Sequence, residues 1–185
     1  PELKGGSHIW GISVPAAYVG GDFFDVIPLS DGSVLAYVAD VSDKGVPAAL
    51  IMAALSTKIR SEALLESEVE KLIESINNST YRLMSEEGFF ITIVLARYWP
   101  DSGKMQIVVG GHFPPLWIDE SGIRKMPAPS GISLGVMPDA RYEKWEIALS
   151  PGESVLFYSD GIIEARNENM ELLGNGRLAD LIANS

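Results

Sequence analysis

The sequence contains no cysteine and only two histidines, His8 and His112. The first absence excludes disulfides, thiolate zinc sites and a cysteine nucleophile. The second leaves oxygen donors as the material for any metal site. Positive charge is scarce as well: 14 Lys and Arg stand against 25 Asp and Glu, a net charge of −11, with no basic cluster. A field of that sign repels polyphosphate and argues against nucleic-acid binding. No apolar run is long enough to span a bilayer, and no basic segment followed by an apolar one opens the chain. Neither a membrane segment nor a signal peptide is therefore read. Lack of cysteine fits a reducing cytoplasm, the expected location.

What is present is an ordinary globular composition, 46% hydrophobic and 21% charged over 185 residues. There is no repeat, low-complexity tract or linker, so residues 1–185 are expected to form one domain. Strands are expected at His8–Val14, Asp22–Leu29, Ser33–Asp40, Phe89–Tyr98, Lys104–Val109, Pro115–Ile118, Tyr142–Leu149 and Ser154–Ser159. Ser150-Pro151-Gly152-Glu153 is read as joining the last two in a hairpin. Two helices are expected at Val46–Leu65, with Pro47 in its first turn, and Glu68–Ser85, and a short one at Gly176–Ala183. Tight turns between strands, with helices grouped rather than alternating, indicate antiparallel sheets with helices packed outside. Phe89 to Leu95 hardly alternates, as expected of a strand covered on both faces. The fold class is accordingly α+β, a four-layer α-β-β-α sandwich.

Asp22 and Asp40 lie at the open ends of two strands joined through Ser30-Asp31-Gly32. If the turn centres on Asp31, paired residue numbers sum to 62 and Asp22 faces Asp40. A two-residue Asp-Gly turn shifts the sum to 63 and makes them diagonal neighbours. Opposed residues hold their Cβ atoms roughly 4.5–5.5 Å apart. Phe24, Val26, Pro28, Val34, Ala36 and Val38 share their face, which reads as a core-facing surface ending in two adjacent acids. Such acids repel, and a divalent cation resolves the conflict. Oxygen donors without histidine favour Mg²⁺ or Mn²⁺ over zinc. Asp160, in Tyr158-Ser159-Asp160-Gly161 at a strand end, is a third candidate, whereas strand parity turns Asp25 to the other face. His112 admits a general-acid or a structural hydrogen-bonding role, and Lys44 a phosphate-steering or merely solvated one. Thr92, inside an apolar strand, reads as packing.

Taken in order, several blocks resemble one family. They are Val19-Gly20-Gly21-Asp22-Phe23-Phe24-Asp25 and Ala39-Asp40-Val41-Ser42-Asp43-Lys44-Gly45-Val46-Pro47-Ala48-Ala49, then Phe90-Ile91-Thr92 and Gly110-Gly111-His112-Phe113-Pro114-Pro115. Leu134-Gly135-Val136 and Tyr158-Ser159-Asp160-Gly161-Ile162-Ile163-Glu164-Ala165-Arg166-Asn167 follow. Together they are similar to the stage II sporulation protein E (SpoIIE) group of metal-dependent serine/threonine phosphatases, within the protein phosphatase 2C-like (PPM) superfamily. The resemblance implies the same sandwich and a two-metal centre, Mg²⁺ or Mn²⁺, held by Asp22, Asp40, Asp160 and the backbone carbonyl of Val41. It implies hydrolysis of phosphoserine or phosphothreonine by a metal-activated water held in line with the leaving oxygen, with Asp22 and Asp40 carrying the catalysis through that water. Beside what the resemblance implies, Lys44 and His112 are the candidate substrate-binding residues on their own chemistry. The implied substrate is a phosphorylated regulatory protein of the anti-sigma-factor antagonist type, and upstream sensor domains are usual.

Three departures stand beside the resemblance. The family's final strand with an Asp-Asp-x-Thr metal ligand does not occur before Ser185, so the domain is expected to be C-terminally incomplete. Ser42-Asp43-Lys44-Gly45 replaces Ser-Gly-Lys-Gly, adding a carboxylate, and Phe113 replaces the usual Asn. They motivate an alternative: a weak or inactive phosphatase-like domain that binds a regulatory partner.

Overall fold

A computed structural model describes residues 3, 6–14, 21–42, 45–84, 88–124, 126 and 131–183. Strands β1 (Asp22–Pro28) and β2 (Val34–Val41) are followed by helices α1 (Val46–Ala63) and α2 (Val69–Met84). Strands β3 (Ile91–Trp99), β4 (Lys104–Gly110), β5 (Leu116–Asp119), β6 (Gly122–Arg124), β7 (Lys144–Ala148) and β8 (Ser154–Leu156) come next. Helices α3 (Asp160–Ile163) and α4 (Gly174–Ala183) complete the order. One sheet runs β1-β2-β3-β4-β7 and the other β6-β5-β8, every pairing antiparallel. Helices α1 and α2 lie on the first sheet and α4 lies against β6, giving the expected α-β-β-α layering.

Two cores follow from this layering. Ile27, Leu35, Tyr37, Ala39, Ile93 and Leu95 meet Leu55 and Ile59 of α1 and Leu72, Ile73 and Ile76 of α2. Between the sheets, Val94, Ala96, Met105, Ile107 and Val109 pack with Trp145, Val155 and Phe157. Strand β3 contributes to both, which is why its sequence does not alternate. Burying each such aliphatic side chain contributes about 1.5–3 kcal/mol, so both faces of β3 are strongly specified.

The turn between β1 and β2 sets the register. Gly32 adopts φ 83°, and Leu29 N–H donates to the Ser33 carbonyl, so three residues, Ser30 to Gly32, form the loop. An odd-numbered loop with glycine in the left-handed region gives the sum of 62, and Asp22 pairs directly with Asp40. The buried Arg97 side chain holds this turn by donating to Ser33 Oγ at 2.9 Å, Asp31 Oδ2 at 2.8 Å and the Ser67 carbonyl at 2.6 Å. Ser33 also donates to Asp31 through its N–H and its hydroxyl.

Hydrogen bonds from Ser33, helped by the Arg97 charge, hold the Asp31 carboxyl at about 2, below its ordinary 3.8. A depressed carboxyl contributes stability above its unfolded value and loses it as pH falls towards its folded value. The melting temperature is therefore expected to fall between about pH 4 and pH 2, and less steeply in Asp31→Asn. Equal slopes in the two proteins, measured by thermal denaturation, would remove Asp31 from the acid transition.

Several expectations are corrected. Residues 6–14 form no strand beyond an isolated bridge at His8; Trp10, Ile12 and Val14 stand 81%, 65% and 80% exposed. β1 is an edge strand of the first sheet, but this segment forms no ladder with it; Gly11 packs against the ring of Phe24 instead. Strands β7 and β8 are not a hairpin. Leu149 N–H donates to the Gly103 carbonyl and keeps the chain on the first sheet, after which the turn at Ser150–Glu153 delivers β8 to β5 in the second. The acid-bearing face of the hairpin is also less deeply buried than its reverse. Phe24 and Pro28 are exposed there, because the second sheet has three strands against five, whereas α1 and α2 cover the other face. Strand β6 was not expected; Asp119 accepts the N–H and hydroxyl of Ser121, and Gly122 at φ 108° closes that turn. Helix α3 was not expected either.

Candidate metal centre

The acids converge at one end of the sandwich. Asp22 begins β1, Asp40 lies next to the end of β2, and Asp160 begins α3, just beyond β8. One carboxylate oxygen from each lies within 4.8 Å of the other two, and all three residues are half-buried. At an effective dielectric of about 20, each pair of ionised carboxylates at this spacing repels by roughly 3–4 kcal/mol. An arrangement of this kind suits a hard divalent cation: the converging donors are carboxylate oxygens, and no imidazole or thiolate is a member of the cluster among the described residues. The residues present thus fit a hard divalent metal ion.

Local structure explains the convergence. Ser159 donates its hydroxyl to Asp22 Oδ2 at 2.7 Å, tying the Asp160 segment to β1. A Cβ on Gly161 would stand 3.3 Å from the same oxygen, so glycine lets the chain pass close to Asp22. Asp40 pairs across the sheet with Thr92 of β3, whose hydroxyl lies 2.7 Å from His112 Nδ1. The other ring nitrogen, Nε2, lies 3.0 Å from the Tyr158 carbonyl. A carbonyl only accepts, so Nε2 carries a proton. Burial pushes the His112 pKa below its ordinary value, outweighing the opposite pull of the Tyr158 bond and the Asp22 and Asp160 charges. The neutral ring then accepts the Thr92 hydroxyl at Nδ1. The aromatic ring of Phe113 stacks on Tyr158 at 5.7 Å.

The structure therefore brings together Asp22, Asp40 and Asp160, with the buried Val41 directly after Asp40. Lys44 and Asp43 lie outside the described residues. His112 is 6% exposed, with both ring nitrogens satisfied internally, which accords with the structural reading of this residue rather than the substrate-contacting one. Asp25 is turned away and pairs with Arg60 at 2.6 Å. Sequence reasoning missed Ser159 as the donor to Asp22 and Thr92 as the partner of His112. The pairing of Asp40 with Thr92 was the available signal, but it required knowing that β3 follows β2 in the sheet.

Layering and acidic centre together define a PPM-type phosphatase fold. The stage II sporulation protein E family model matches residues 30–185, and the chain belongs to that family. It is 28% identical to phosphoserine phosphatase RsbU of Bacillus subtilis over 87% of this chain and 48% of that protein. To Protein IcfG of Synechocystis it is 24% identical over 91% of this chain and 31% of that protein. The chain thus spans less than half the length of these relatives. The structure containing the RsbU and RsbW domains of a Mycobacterium tuberculosis protein superposes with TM-score 0.76 at 26% identity, covering 93% of this chain and 48% of that one. The SiaA-PP2C domain of Pseudomonas aeruginosa superposes with TM-score 0.75 at 20% identity, covering 89% and 66%, and supports the fold alone.

Proposed function

We propose that this domain is a divalent-metal-dependent phosphatase that hydrolyses phosphoserine or phosphothreonine on a regulatory protein. The observation that carries the reading is the convergence of Asp22, Asp40 and Asp160 oxygens within 4.8 Å at one end of a PPM sandwich. These three carboxylates, with the Val41 carbonyl, would hold two ions, Mg²⁺ or Mn²⁺. When bound, such ions supply charge for phosphate oxygens and lower the pKa of water in their shell. The chain's own residues orient this chemistry. The paired strand ends fix Asp22 against Asp40, and Ser159 fixes the Asp22 carboxylate by donating to it. No protein nucleophile is required, in keeping with the absence of cysteine.

Cations at the centre would also supply the local positive potential that a chain of net charge −11 lacks in its side chains, and so let it accept a phosphoprotein. The name of the Bacillus relative, a phosphoserine phosphatase, supports the substrate class. An anti-sigma-factor antagonist is the partner type proposed, within a cytoplasmic signalling pathway. No helix among the described residues is long and apolar enough to cross a membrane.

The test is release of phosphate from a phosphoserine peptide with Mn²⁺ and with a chelator. Turnover only in Mn²⁺ is expected. A folded domain that binds the phosphoprotein without releasing phosphate would instead establish the partner-binding alternative.

A further inference from the structure

The acids that form the centre come from both halves of the sandwich. Asp22 and Asp40 belong to the five-stranded sheet, whereas Asp160 follows β8 of the three-stranded one. Between the sheets the contacts are apolar, from Val94, Ala96, Ile107, Trp145 and Val155. Apolar packing is strong but non-directional, and it does not by itself hold a carboxylate to within about half an ångström of a required position. Directional bonds must supply that precision.

We propose that Thr92 and His112 are positioning residues that fix Asp160 relative to Asp22 and Asp40. This rests on the metal-centre reading given above. Thr92 sits beside Asp40 in the adjacent strand, and its hydroxyl donates to Nδ1 of His112 at 2.7 Å. His112 follows β4, and its Nε2–H donates to the carbonyl of Tyr158 at 3.0 Å, two residues before Asp160. By Tyr158 the chain has left the ladder of β8, which ends at Leu156. The imidazole thus takes the place of a neighbouring strand for that carbonyl. Three further features restrict the same tie. Gly111 at φ 66° turns the chain so that His112 points inward, and a Cβ there would lie 2.0 Å from Ser133 Oγ. Phe113 stacks on the Tyr158 ring at 5.7 Å, clamping the accepting residue from its side chain as His112 does from its backbone. The Ser159 hydroxyl completes the connection back to Asp22. A closed circuit results, Asp40–Thr92–His112–Tyr158–Ser159–Asp22, through pairing, hydrogen bonds and one peptide link.

The circuit explains why a histidine with no exposed nitrogen sits beside the acids. It also separates its contribution from ordinary packing. A core residue lost from this place would lower stability and leave metal affinity intact in the molecules that remain folded. A positioning residue lost would weaken the metal while the fold persists.

Thr92→Val keeps the shape of the side chain and removes the hydroxyl, whereas Thr92→Ser keeps the hydroxyl. Mn²⁺ binding would be measured by calorimetry without substrate, well below the melting temperature recorded by circular dichroism. Thr92→Val is expected to weaken Mn²⁺ about 10-fold, the scale found for partners that orient metal ligands, and Thr92→Ser by no more than about twofold. Turnover of a phosphoserine peptide in Thr92→Val is expected to recover towards wild type as Mn²⁺ is raised, with KM for the peptide unchanged. His112→Gln, whose amide can still donate to Tyr158, is expected to bind Mn²⁺ more tightly than His112→Ala where both fold. Folded Thr92→Val that binds Mn²⁺ like wild type, or equal weakening in Thr92→Val and Thr92→Ser, would overturn the proposal. Wild-type protein that binds no Mn²⁺ is a distinct result and removes the metal-centre reading itself.

Discussion

Asp40→Asn is expected to reduce metal-dependent turnover about 10³-fold or more, because it removes one carboxylate from the only three-acid cluster among the described residues. The same substitution should act in the opposite direction on stability. Without a cation, three carboxylate oxygens within 4.8 Å of one another repel, and the fold holds them together against that repulsion. Taking away one charge relieves two of the three repulsions. At these half-buried residues water screens each from the limit of roughly 3–4 kcal/mol towards about 1 kcal/mol. The chelator-treated protein should therefore gain about 2 kcal/mol, or roughly 4–8 °C in melting temperature at this size. Added Mn²⁺ should raise the wild-type melting temperature and leave that of the variant nearly unchanged. Loss of activity with a gain in metal-free stability marks a functional acid. A variant that lost both would instead mark Asp40 as a structural residue. Paired thermal melts and phosphate-release assays separate the two.

Arg97→Met is expected to destabilise the protein by about 2–4 kcal/mol in urea denaturation. Arg97 is 7% exposed, and its guanidinium donates to Ser33, Asp31 and the Ser67 carbonyl in one place. Methionine fills the aliphatic volume but leaves the Ser67 carbonyl and the Ser33 hydroxyl without that donor. Asp31 is 44% exposed at its side chain and regains water, which keeps the loss below that of a fully buried ion pair. The network lies at the turn end of the β1–β2 hairpin and the acids at its open end. Below its melting temperature, the variant should therefore retain most of its Mn²⁺-dependent turnover. Loss of turnover without loss of stability would contradict this division of labour along the hairpin.

Much of the centre was legible because β-structure turns spacing into position. Asp31-Gly32 marked the turn, counting outward placed Asp22 within reach of Asp40, and the three-residue loop resolved the choice of register. Asp160 was legible as an acid at a strand end followed by glycine, and Gly161 does pass close to Asp22. What stayed hidden depended on partners far away in the chain. Ser150–Glu153 has the residues of a tight turn, and such a turn serves a hairpin or a crossover between sheets equally well. The bond from Leu149 to Gly103 and the pairing of β8 with β5 decide between them. The inward faces of β1 were misjudged because apolar alternation does not say which neighbour covers which face. Thr92 reads as packing in the sequence because its partner, His112, comes 20 residues later and meets it only once β3 and β4 are assembled. His8–Val14 illustrates the converse, strand-like periodicity that acquires no ladder.

Asp22, Asp40 and Asp160 are expected to act together as one divalent-metal centre. The most direct measurement is a calorimetric titration of Mn²⁺ into chelator-stripped wild-type protein, Asp22→Asn and Asp160→Asn. Saturable binding in the wild type, weakened at least about 10-fold in each variant while circular dichroism remains unchanged, is the predicted result. Equal affinity in all three proteins, or no binding in any, would contradict it.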